Sequence, residues 1–409
     1  MTQGVKQPRA AVGQSKAQQD IRYGLKALER LHGQVDGEAA EDEVELFQAL
    51  AQGVTRVISF ADEGTVFLFG NLADASKPWG FVFAIKVLPV IIFFASFMSV
   101  LYYLGIMQPI VAALAWVLRR TLGVTGAEAL SGAANIFLGQ TEAPLTVKPF
   151  IASMTRSQIM AVMTGGFATI AGSVLAAYVG ILGGESDEGK VLFAKHLMTA
   201  SLMSAPAGFV MAKIMLPETE TPPDEQLGTL KDVGVVEARN VVDAAAAGAT
   251  EGLRLAANVA AMLVAFVALI AMLNWPLAAF CEWQKFEPLT FQSILGMVFM
   301  PLAWCMGVPG KDCGLFGAVL GQQVIATEFV AYLDLGKHIA NGTMDKRSCQ
   351  IATYALCGFA NLPSIAIQIG GFSAMAPSRR GDFAAIAPRA MVAGAFACWM
   401  TGSIAGLFL

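Results

Sequence analysis

Two short stretches place acidic side chains among apolar residues. The first, NIFLGQTEAPL (135–145), holds a Gln, a Thr and Glu142 in succession, and the second, QQVIATEFVAY (322–332), holds Glu328. A carboxylate at the centre of a lipid bilayer costs at least about 2.5 kcal/mol, so such a group must face a polar cavity or a partner. Carboxylate, amide and hydroxyl groups together are suited to hydrogen-bonding a polar ligand. We therefore expect both stretches to contribute to a binding site.

The composition is that of a membrane protein. Of the 409 residues, 56% are hydrophobic and 14% are charged, whereas soluble domains contain roughly 25% charged residues. The formal net charge is -4 and no basic tract stands out, so nucleic acid is not an expected partner. The six cysteines form no CxxC pair, and no HExxH, GxSxG or Walker A motif occurs. The sequence thus favours neither hydrolytic nor nucleotide chemistry, and no organic cofactor is expected.

Long apolar windows predict the spanning helices that must position these side chains. A bilayer core of about 30 Å requires about 20 residues of helix. Six windows are long enough: 81–105, 157–183, 191–216, 254–280, 349–373 and 390–409. Two further segments, 125–151 and 310–333, are apolar but are interrupted by Gly, Pro and acidic residues. We predict that these two segments are re-entrant hairpins.

The remaining segments are more polar. The predicted organisation is a polar segment, disordered or a surface helix, at 1–43, an interfacial amphipathic helix and loop at 44–80, a scaffold helix and surface helix at 81–124, a first repeat at 125–216, a polar loop at 217–253, a scaffold helix at 254–280 and a second repeat at 281–409. Basic residues cluster at one set of span ends, which the positive-inside rule places in the cytoplasm. They include Arg119, Arg120, Lys148, Arg156, Lys213, Arg379, Arg380 and Arg389.

The two hairpin segments each begin a repeated unit. Each is followed by two predicted spans, and the two acidic residues lie about 190 residues apart. The first span of each unit contains a motif that disfavours an unbroken helix, GFATIAGSV (166–174) or LCGFANLPS (356–364). A broken helix leaves backbone amides and carbonyls free to bind a ligand. Internal repeats with broken helices near the midplane are typical of secondary transporters.

Several motifs resemble those of one family. The stretches NIFLGQTEAPL, GFATIAGSV, MSAPAGFVMAKIMLPETE, TEFVAY and ALCGFANLPSIAIQIGGFSAMAPSRRGD are similar to the concentrative nucleoside transporters, which are cation-coupled importers of nucleosides. The similarity extends from about residue 45 to the C-terminus. It implies an all-α polytopic membrane protein with inverted repeats. Each repeat would be a re-entrant helical hairpin plus two spanning helices, one of them broken, on a scaffold of further spanning helices.

The resemblance also implies which residues bind. Those for the nucleobase are Gln140, Thr141, Glu142 and Val174. Those for the ribose are Glu328, Phe359, Asn361 and Ser364. The sodium ion would be held by side chains of Asn135 and Thr169 and by carbonyls of Leu138 and Ile170. Oxygen donors of this kind suit sodium, which is a hard cation, and Asn135 favours sodium over a proton because proton-coupled relatives lack that amide.

The function implied is sodium-coupled nucleoside import across the cell inner membrane by alternating access, without enzymatic chemistry. The expected partners are the nucleoside, the lipid bilayer and two further copies in a homotrimer. The sequence departs from the family in two places. Bacterial members begin with two further spanning helices, where this chain has a hydrophilic segment, so we expect an upstream start or a reduced scaffold. Thr327 stands where many relatives have Asn, which would alter ribose contacts or the second hairpin.

Other interpretations remain open on the sequence alone. Glu142 and Glu328 could be structural carboxylates paired with a cation such as Lys86. They could serve as the acid and base of a membrane enzyme, which would turn over a substrate without a gradient. A proton-coupled carrier of nucleosides or nucleobases is the nearer alternative, and its uptake would follow pH and be insensitive to Asn135→Ala.

Overall fold

The computed structural model is helical throughout the residues that it describes, which are 38–74, 82–184, 186–222, 238–285 and 289–409. Within these ranges there is no strand. The helices there that are long and apolar enough to cross a membrane are Ala84–Tyr103, Arg156–Gly183, Asp187–Met215, Val241–Gln284 and Pro377–Phe408. The predicted all-α polytopic class is therefore confirmed. Most of the predicted polar N-terminal segment lies outside the described residues.

Three helices of 16 residues or more precede the first hairpin in the described part of the chain. Helix α1 (Glu38–Phe69) is longer at both ends than the amphipathic pattern at 44–60, and α2 (Leu88–Tyr103) is the core of the first span. Helix α3 (Met107–Leu122) is amphipathic and buries every third or fourth residue. It ends at Gly123, whose φ of 66° is the left-handed conformation that glycine adopts readily. A helix thus precedes the first hairpin where the sequence predicts a surface helix, and its position at the membrane surface stays a prediction.

The first hairpin consists of two arms joined by a non-helical tip. Its first arm is α4 (Gly126–Asn135), and its second is a 3-10 helix (Ala143–Val147) continued by α5 (Lys148–Ile151). A capping box starts α4, because the Thr125 amide donates to the Glu128 carboxylate at 2.9 Å and the Thr125 side chain accepts from the Glu128 amide. The beginning of the first arm is thus fixed by local hydrogen bonds.

The helix after the first hairpin is broken in the middle. Its halves are α6 (Arg156–Ala168) and α7 (Gly172–Gly183). At the break, Thr169 and Ala171 have extended backbone conformations, so the helical hydrogen-bond ladder stops there. Helix α8 (Asp187–Met215) then completes the unit. The interruption predicted from the motif at residues 166–174 is present.

Helix α9 (Val241–Gln284) has 44 residues, which at 1.5 Å per residue is about 66 Å of helix. It exceeds the predicted span at 254–280 and occupies part of the predicted polar loop. Gly248 allows close packing on α2, since a Cβ there would lie 2.7 Å from the carbonyl oxygen of Ala95. Two serine hydroxyls of α2 donate to α9 carbonyls, both at 2.8 Å. The two helices form one tightly packed pair.

The second hairpin is preceded by an additional helix. Helix α10 (Phe291–Cys305) leads to the two arms, α11 (Cys313–Ile325) and α12 (Glu328–Asn341). Thr327 caps α12, because its hydroxyl oxygen accepts from the Val330 amide at 3.3 Å. The threonine that departs from the family pattern therefore still starts the second arm.

The chain ends with a second broken helix and a long span. These are α13 (Lys346–Ala355), α14 (Leu362–Met375) and α15 (Arg380–Phe408). The interruption predicted within the window at 349–373 is present, since that window is divided between α13 and α14. The division has a local cause: the Asn361 side chain accepts a hydrogen bond from the Ser364 amide, and a proline lies in the first turn of α14.

Buried carboxylates tie the start of each hairpin to the start of the broken helix that follows it. Glu128 lies 2.5 Å from the Lys213 ammonium, which also donates to the Ser157 hydroxyl at 3.1 Å. In the second unit, the Ser348 hydroxyl donates to Asp312 at 2.6 Å. Both units therefore use an acidic residue near the first arm to hold the helix that packs beside it.

Candidate functional site

Both hairpins and the second broken helix meet in one hydrogen-bonded chain. Gln140, at the first hairpin tip, donates from Nε2 to Ser364 Oγ at 3.1 Å. The Ser364 amide donates to Asn361 Oδ1 at 2.9 Å, and Asn361 Nδ2 donates to Glu328 Oε2 at 2.7 Å. All four side chains are buried. The structure thus brings together four of the predicted substrate-binding residues from distant parts of the sequence.

Tyr178 extends this chain and was not predicted from the sequence. Its hydroxyl, on α7, donates to Glu328 Oε1 at 2.9 Å, and its ring stacks on Tyr332 with a centroid separation of 4.2 Å. Both carboxylate oxygens of Glu328 therefore accept a hydrogen bond from the protein. The available signal was a tyrosine hydroxyl in an apolar helix, since such groups usually find a partner when buried. Which partner it finds depends on the tertiary fold.

Gln368 was also missed, and it sets the orientation of Gln140. Its Nε2 donates to Gln140 Oε1 at 3.3 Å and to the Met163 carbonyl at 3.1 Å. A Cβ on Gly166 would lie 2.7 Å from Gln368 Nε2, so glycine leaves the space that this contact needs. The signal was the spacing of four residues from Ser364, which places both side chains on one helix face. The Gln140 amide is held from both ends.

The other four predicted substrate residues lie outside this chain. Glu142 is exposed, and its carboxylate accepts a hydrogen bond from the Gly139 amide at 3.2 Å. Thr141 is half-buried, Val174 is buried in an apolar cluster, and Phe359 packs at the edge of that cluster. Because the hairpin tip is a turn rather than a helix, consecutive side chains point in different directions. The roles of these four residues in substrate binding stay predictions.

Neither acidic residue of the site has a cationic partner. Among the described residues, no Lys, Arg or His nitrogen lies within 4.0 Å of the Glu142 or Glu328 carboxylate. Lys86, the alternative partner, instead lies 4.0 Å from Asp62 on α1. Burial of Glu328 is compensated only by neutral hydrogen-bond donors. This arrangement differs from a structural ion pair, in which both charges would be matched.

The predicted ion ligands include an amide without a hydrogen-bond partner among the described residues. Asn135 is 0% exposed, yet among the described residues neither its Oδ1 nor its Nδ2 has a partner, which costs about 1–3 kcal/mol. The Thr169 hydroxyl donates to the Gly165 carbonyl at 2.9 Å, so its oxygen can still accept. No donor in the described part of the chain bonds to the carbonyls of Leu138 or Ile170. The set is composed of oxygen donors, which hard cations prefer.

The hairpin tip contacts the break in the helix directly. The Gly172 amide, at the start of α7, donates to the Phe137 carbonyl at 2.9 Å. The Ser201 hydroxyl of α8 donates to the Ile136 carbonyl at 3.2 Å. These bonds hold the tip backbone against the break. The four predicted ion ligands therefore lie on the two sides of one contact, and their role stays a prediction.

Two family models match the chain. The model described as "Na+ dependent nucleoside transporter C-terminus" matches residues 196–406, and the model described as "Nucleoside recognition" matches residues 84–185. The first range includes Glu328 and Asn361, and the second includes Gln140 and Tyr178. Both halves of the hydrogen-bonded chain therefore fall within matched regions.

Known transporters are similar over most of the chain. An uncharacterised transporter of Haemophilus influenzae is 47% identical, covering 88% of this chain and 85% of that protein. The nucleoside permease NupC of Helicobacter pylori is 41% identical, covering 89% and 86%. The structure of CNTnw in an inward-facing substrate-bound state is 41% identical with a TM-score of 0.83, covering 96% of this chain and 89% of that one. These are transporters rather than enzymes, and the chain belongs to the concentrative nucleoside transporter family.

Proposed function

We propose that this protein imports nucleosides together with sodium ions. The observation that carries the proposal is the buried hydrogen-bonded chain between Gln140 and Glu328, which links both hairpins without any cation. Such a chain offers acceptors and donors at membrane depth, where water is excluded. A polar ligand at this place would be recognised by its hydrogen bonds.

The two ends of the chain suit the two parts of a nucleoside. Glu328 accepts one protein hydrogen bond at each oxygen, and each oxygen keeps a lone pair for a ribose hydroxyl. Gln140 presents an amide, which can donate to and accept from the edge of a base. We assign Thr141 and Glu142 to the base as well, with Val174 and Phe359 packing against the substrate. Ser364 and Asn361 would hold the ribose beside Glu328.

Sodium is proposed to bind at Asn135, Leu138, Thr169 and Ile170. The support is the buried Asn135 amide, whose polar atoms have no partner among the described residues. Asn135 is the last residue of the first arm and lies five residues before Gln140. An ion there would stabilise the tip in the conformation that presents Gln140 to the base. Because binding linkage is reciprocal, substrate would then raise sodium affinity by the same factor.

Transport is proposed to occur by alternating access. Variants of CNTnw are described in outward-facing and intermediate states. By analogy, we propose that the two hairpins and broken helices move together as inverted repeats against the packed pair of α2 and α9. We further propose that the protein acts as a homotrimer in a bacterial inner membrane, as the family resemblance implies.

The function is tested by uptake into proteoliposomes. Labelled uridine and adenosine are supplied under a sodium gradient, a proton gradient or no gradient. We expect accumulation only with sodium. Accumulation that follows pH and ignores sodium would replace the ion assignment with proton coupling. Absence of uptake under every gradient, with protein shown to be folded, would contradict nucleoside import.

Replacing Tyr178 by Phe is expected to raise the KM for uridine about tenfold, since a hydrogen bond to a charged group is lost. The phenyl ring can keep its stacking on Tyr332, so the fold should be retained. The sodium concentration for half-maximal uptake should change much less. Initial uptake rates at varied uridine and sodium concentrations measure both values.

Tyr354→Phe is the matched control for this variant. Tyr354 is also buried, but its hydroxyl contacts His196 at 3.0 Å and lies outside the chain that ends at Glu328. Its removal should leave the KM for uridine unchanged. Equal KM values in the two variants would show that Tyr178 does not act through the site.

A further inference from the structure

An apolar groove follows one side of α15 toward its C-terminal end. Its volume is about 510 Å³, and its walls are formed by α8, α10 and α15. Its apolar lining includes Met211, Leu302, Phe396, Trp399, Met400 and Ile404. None of the side chains assigned to substrate or sodium lines this groove. It is therefore a separate feature of the molecule.

The length of the groove along α15 is similar to the hydrocarbon thickness of one bilayer leaflet. It extends along α15 from Leu407 to Phe396, which is about 16 Å at 1.5 Å per residue. Half of the hydrocarbon core of a bilayer is about 15 Å. Both end residues are exposed, Leu407 by 81% and Phe396 by 45%. The groove thus opens along a helix that is long and apolar enough to span the membrane.

One end of the groove carries a positive charge without a counter-charge. Arg347 lines this end and donates from Nη2 to the Gly406 carbonyl at 2.5 Å. Within the described part of the chain, no carboxylate lies within 4.0 Å of its guanidinium. The nearby Lys311 is already paired with Asp345 at 3.1 Å, which lowers the pKa of Asp345 and raises that of Lys311. Arg347 therefore has donors left for an anion.

We propose that the groove binds an anionic phospholipid, with one acyl chain along α15 and the phosphate on Arg347. A guanidinium recognises phosphate through paired N–H donors. The apolar walls match an acyl chain in length, and the charge stands at the end where a headgroup would lie. An apolar face of a second copy would fill the walls but leave Arg347 without an anion. A phospholipid would both fill the apolar walls and supply an anion to Arg347.

The proposed lipid would lie between α10 and α15. Helix α10 precedes the second hairpin, and α15 follows the second broken helix. An acyl chain between them would contact both elements at once, through Leu302 on one side and Met400 on the other. Bound lipid is therefore expected to stabilise this contact against thermal unfolding.

The proposal is tested with the full-length protein in mild detergent. The protein is incubated with equal amounts of phosphatidylglycerol and phosphatidylcholine, and retained lipid is measured by native mass spectrometry. We expect selective retention of phosphatidylglycerol and a loss of about fivefold in Arg347→Gln. Lys346→Gln removes the same charge from the neighbouring residue, which does not line the groove, and should retain the lipid. Ser403→Phe fills the groove and should also lose it.

Three results would overturn the proposal. The first is equal retention by Arg347→Gln and by the wild type. The second is an equal loss in Arg347→Gln and Lys346→Gln, which would indicate general surface charge. The third is a change of oligomeric state in Ser403→Phe with retained lipid unchanged, which would indicate that a second copy covers the groove. Uptake of nucleoside is not needed for this measurement, so its outcome is independent of the proposed function.

Discussion

Replacing Glu328 by Gln is expected to lower the efficiency of uridine uptake roughly 100-fold. Both oxygens of this carboxylate accept hydrogen bonds, from the Tyr178 hydroxyl and from the Asn361 amide. A glutamine keeps the shape but replaces one acceptor by a donor. That NH₂ group faces either the Asn361 amide, which is also a donor, or the Tyr178 hydroxyl, which must then accept instead of donate. The charge that attracts ribose hydroxyls is also lost. The measurement is kcat/KM for uridine in proteoliposomes.

The same variant should lose selectivity for the sugar. In the wild type, 2′,3′-dideoxyuridine leaves a buried acceptor unpaired and should be transported much more slowly than uridine. In Glu328→Gln the two rates should approach each other. Glu188→Gln is the control, because Glu188 is an exposed residue at the start of α8 and its loss changes the net charge equally. An unchanged ratio of uridine to dideoxyuridine in Glu328→Gln would contradict a ribose role.

The positions of functional polar residues within the apolar segments could be predicted from the sequence. Lipid penalises each buried polar group separately, so Glu142 and Glu328 stand out against their neighbours without any knowledge of the fold. The second helix break could also be predicted, because Asn361 favours a helix start and Pro363 cannot continue a preceding helix. These signals are local, and a single sequence contains them in full.

The partners of these groups could not be predicted in the same way. Gln140 and Glu142 are two residues apart, and both are polar side chains within one apolar segment. In the folded chain, Gln140 bonds to Ser364 whereas Glu142 is exposed. The difference arises from the turn of the hairpin tip and from the helices packed on it. Tyr178 was missed for a similar reason, since its partner Glu328 is 150 residues away.

The length of α9 shows another limit of prediction from the sequence. Its span was predicted at 254–280, but the helix begins at Val241. Hydropathy reports where lipid surrounds a helix, and the charged pair Glu251 and Arg254 marks the end of that region. The alanine-rich sequence before the pair favours helix regardless of the surroundings. The helix therefore continues where the hydropathy falls.

Replacing Asn135 by Leu is expected to raise thermal stability while it removes sodium dependence. The amide is fully buried, and among the described residues neither polar atom is bonded, so an apolar side chain of similar size should relieve about 1–3 kcal/mol in the absence of sodium. The same change deletes an oxygen ligand of the proposed sodium site, so uptake should no longer depend on sodium. Stability and transport should thus move in opposite directions. Melting in sodium-free detergent and uptake against sodium concentration measure the two effects.

Ser131→Ala separates the effect of removing an unpaired buried polar group from the effect of removing a sodium ligand. Ser131 lies one turn earlier on α4, is fully buried, and its hydroxyl also has no partner among the described residues. Removing it should raise stability for the same reason, but sodium dependence should remain, since Ser131 is not an assigned ligand. If Asn135→Leu also keeps the wild-type sodium dependence, the unpaired amide is a packing defect and not an ion site. If only Asn135→Leu loses the dependence, the cost of burying that amide is explained by the ion it binds.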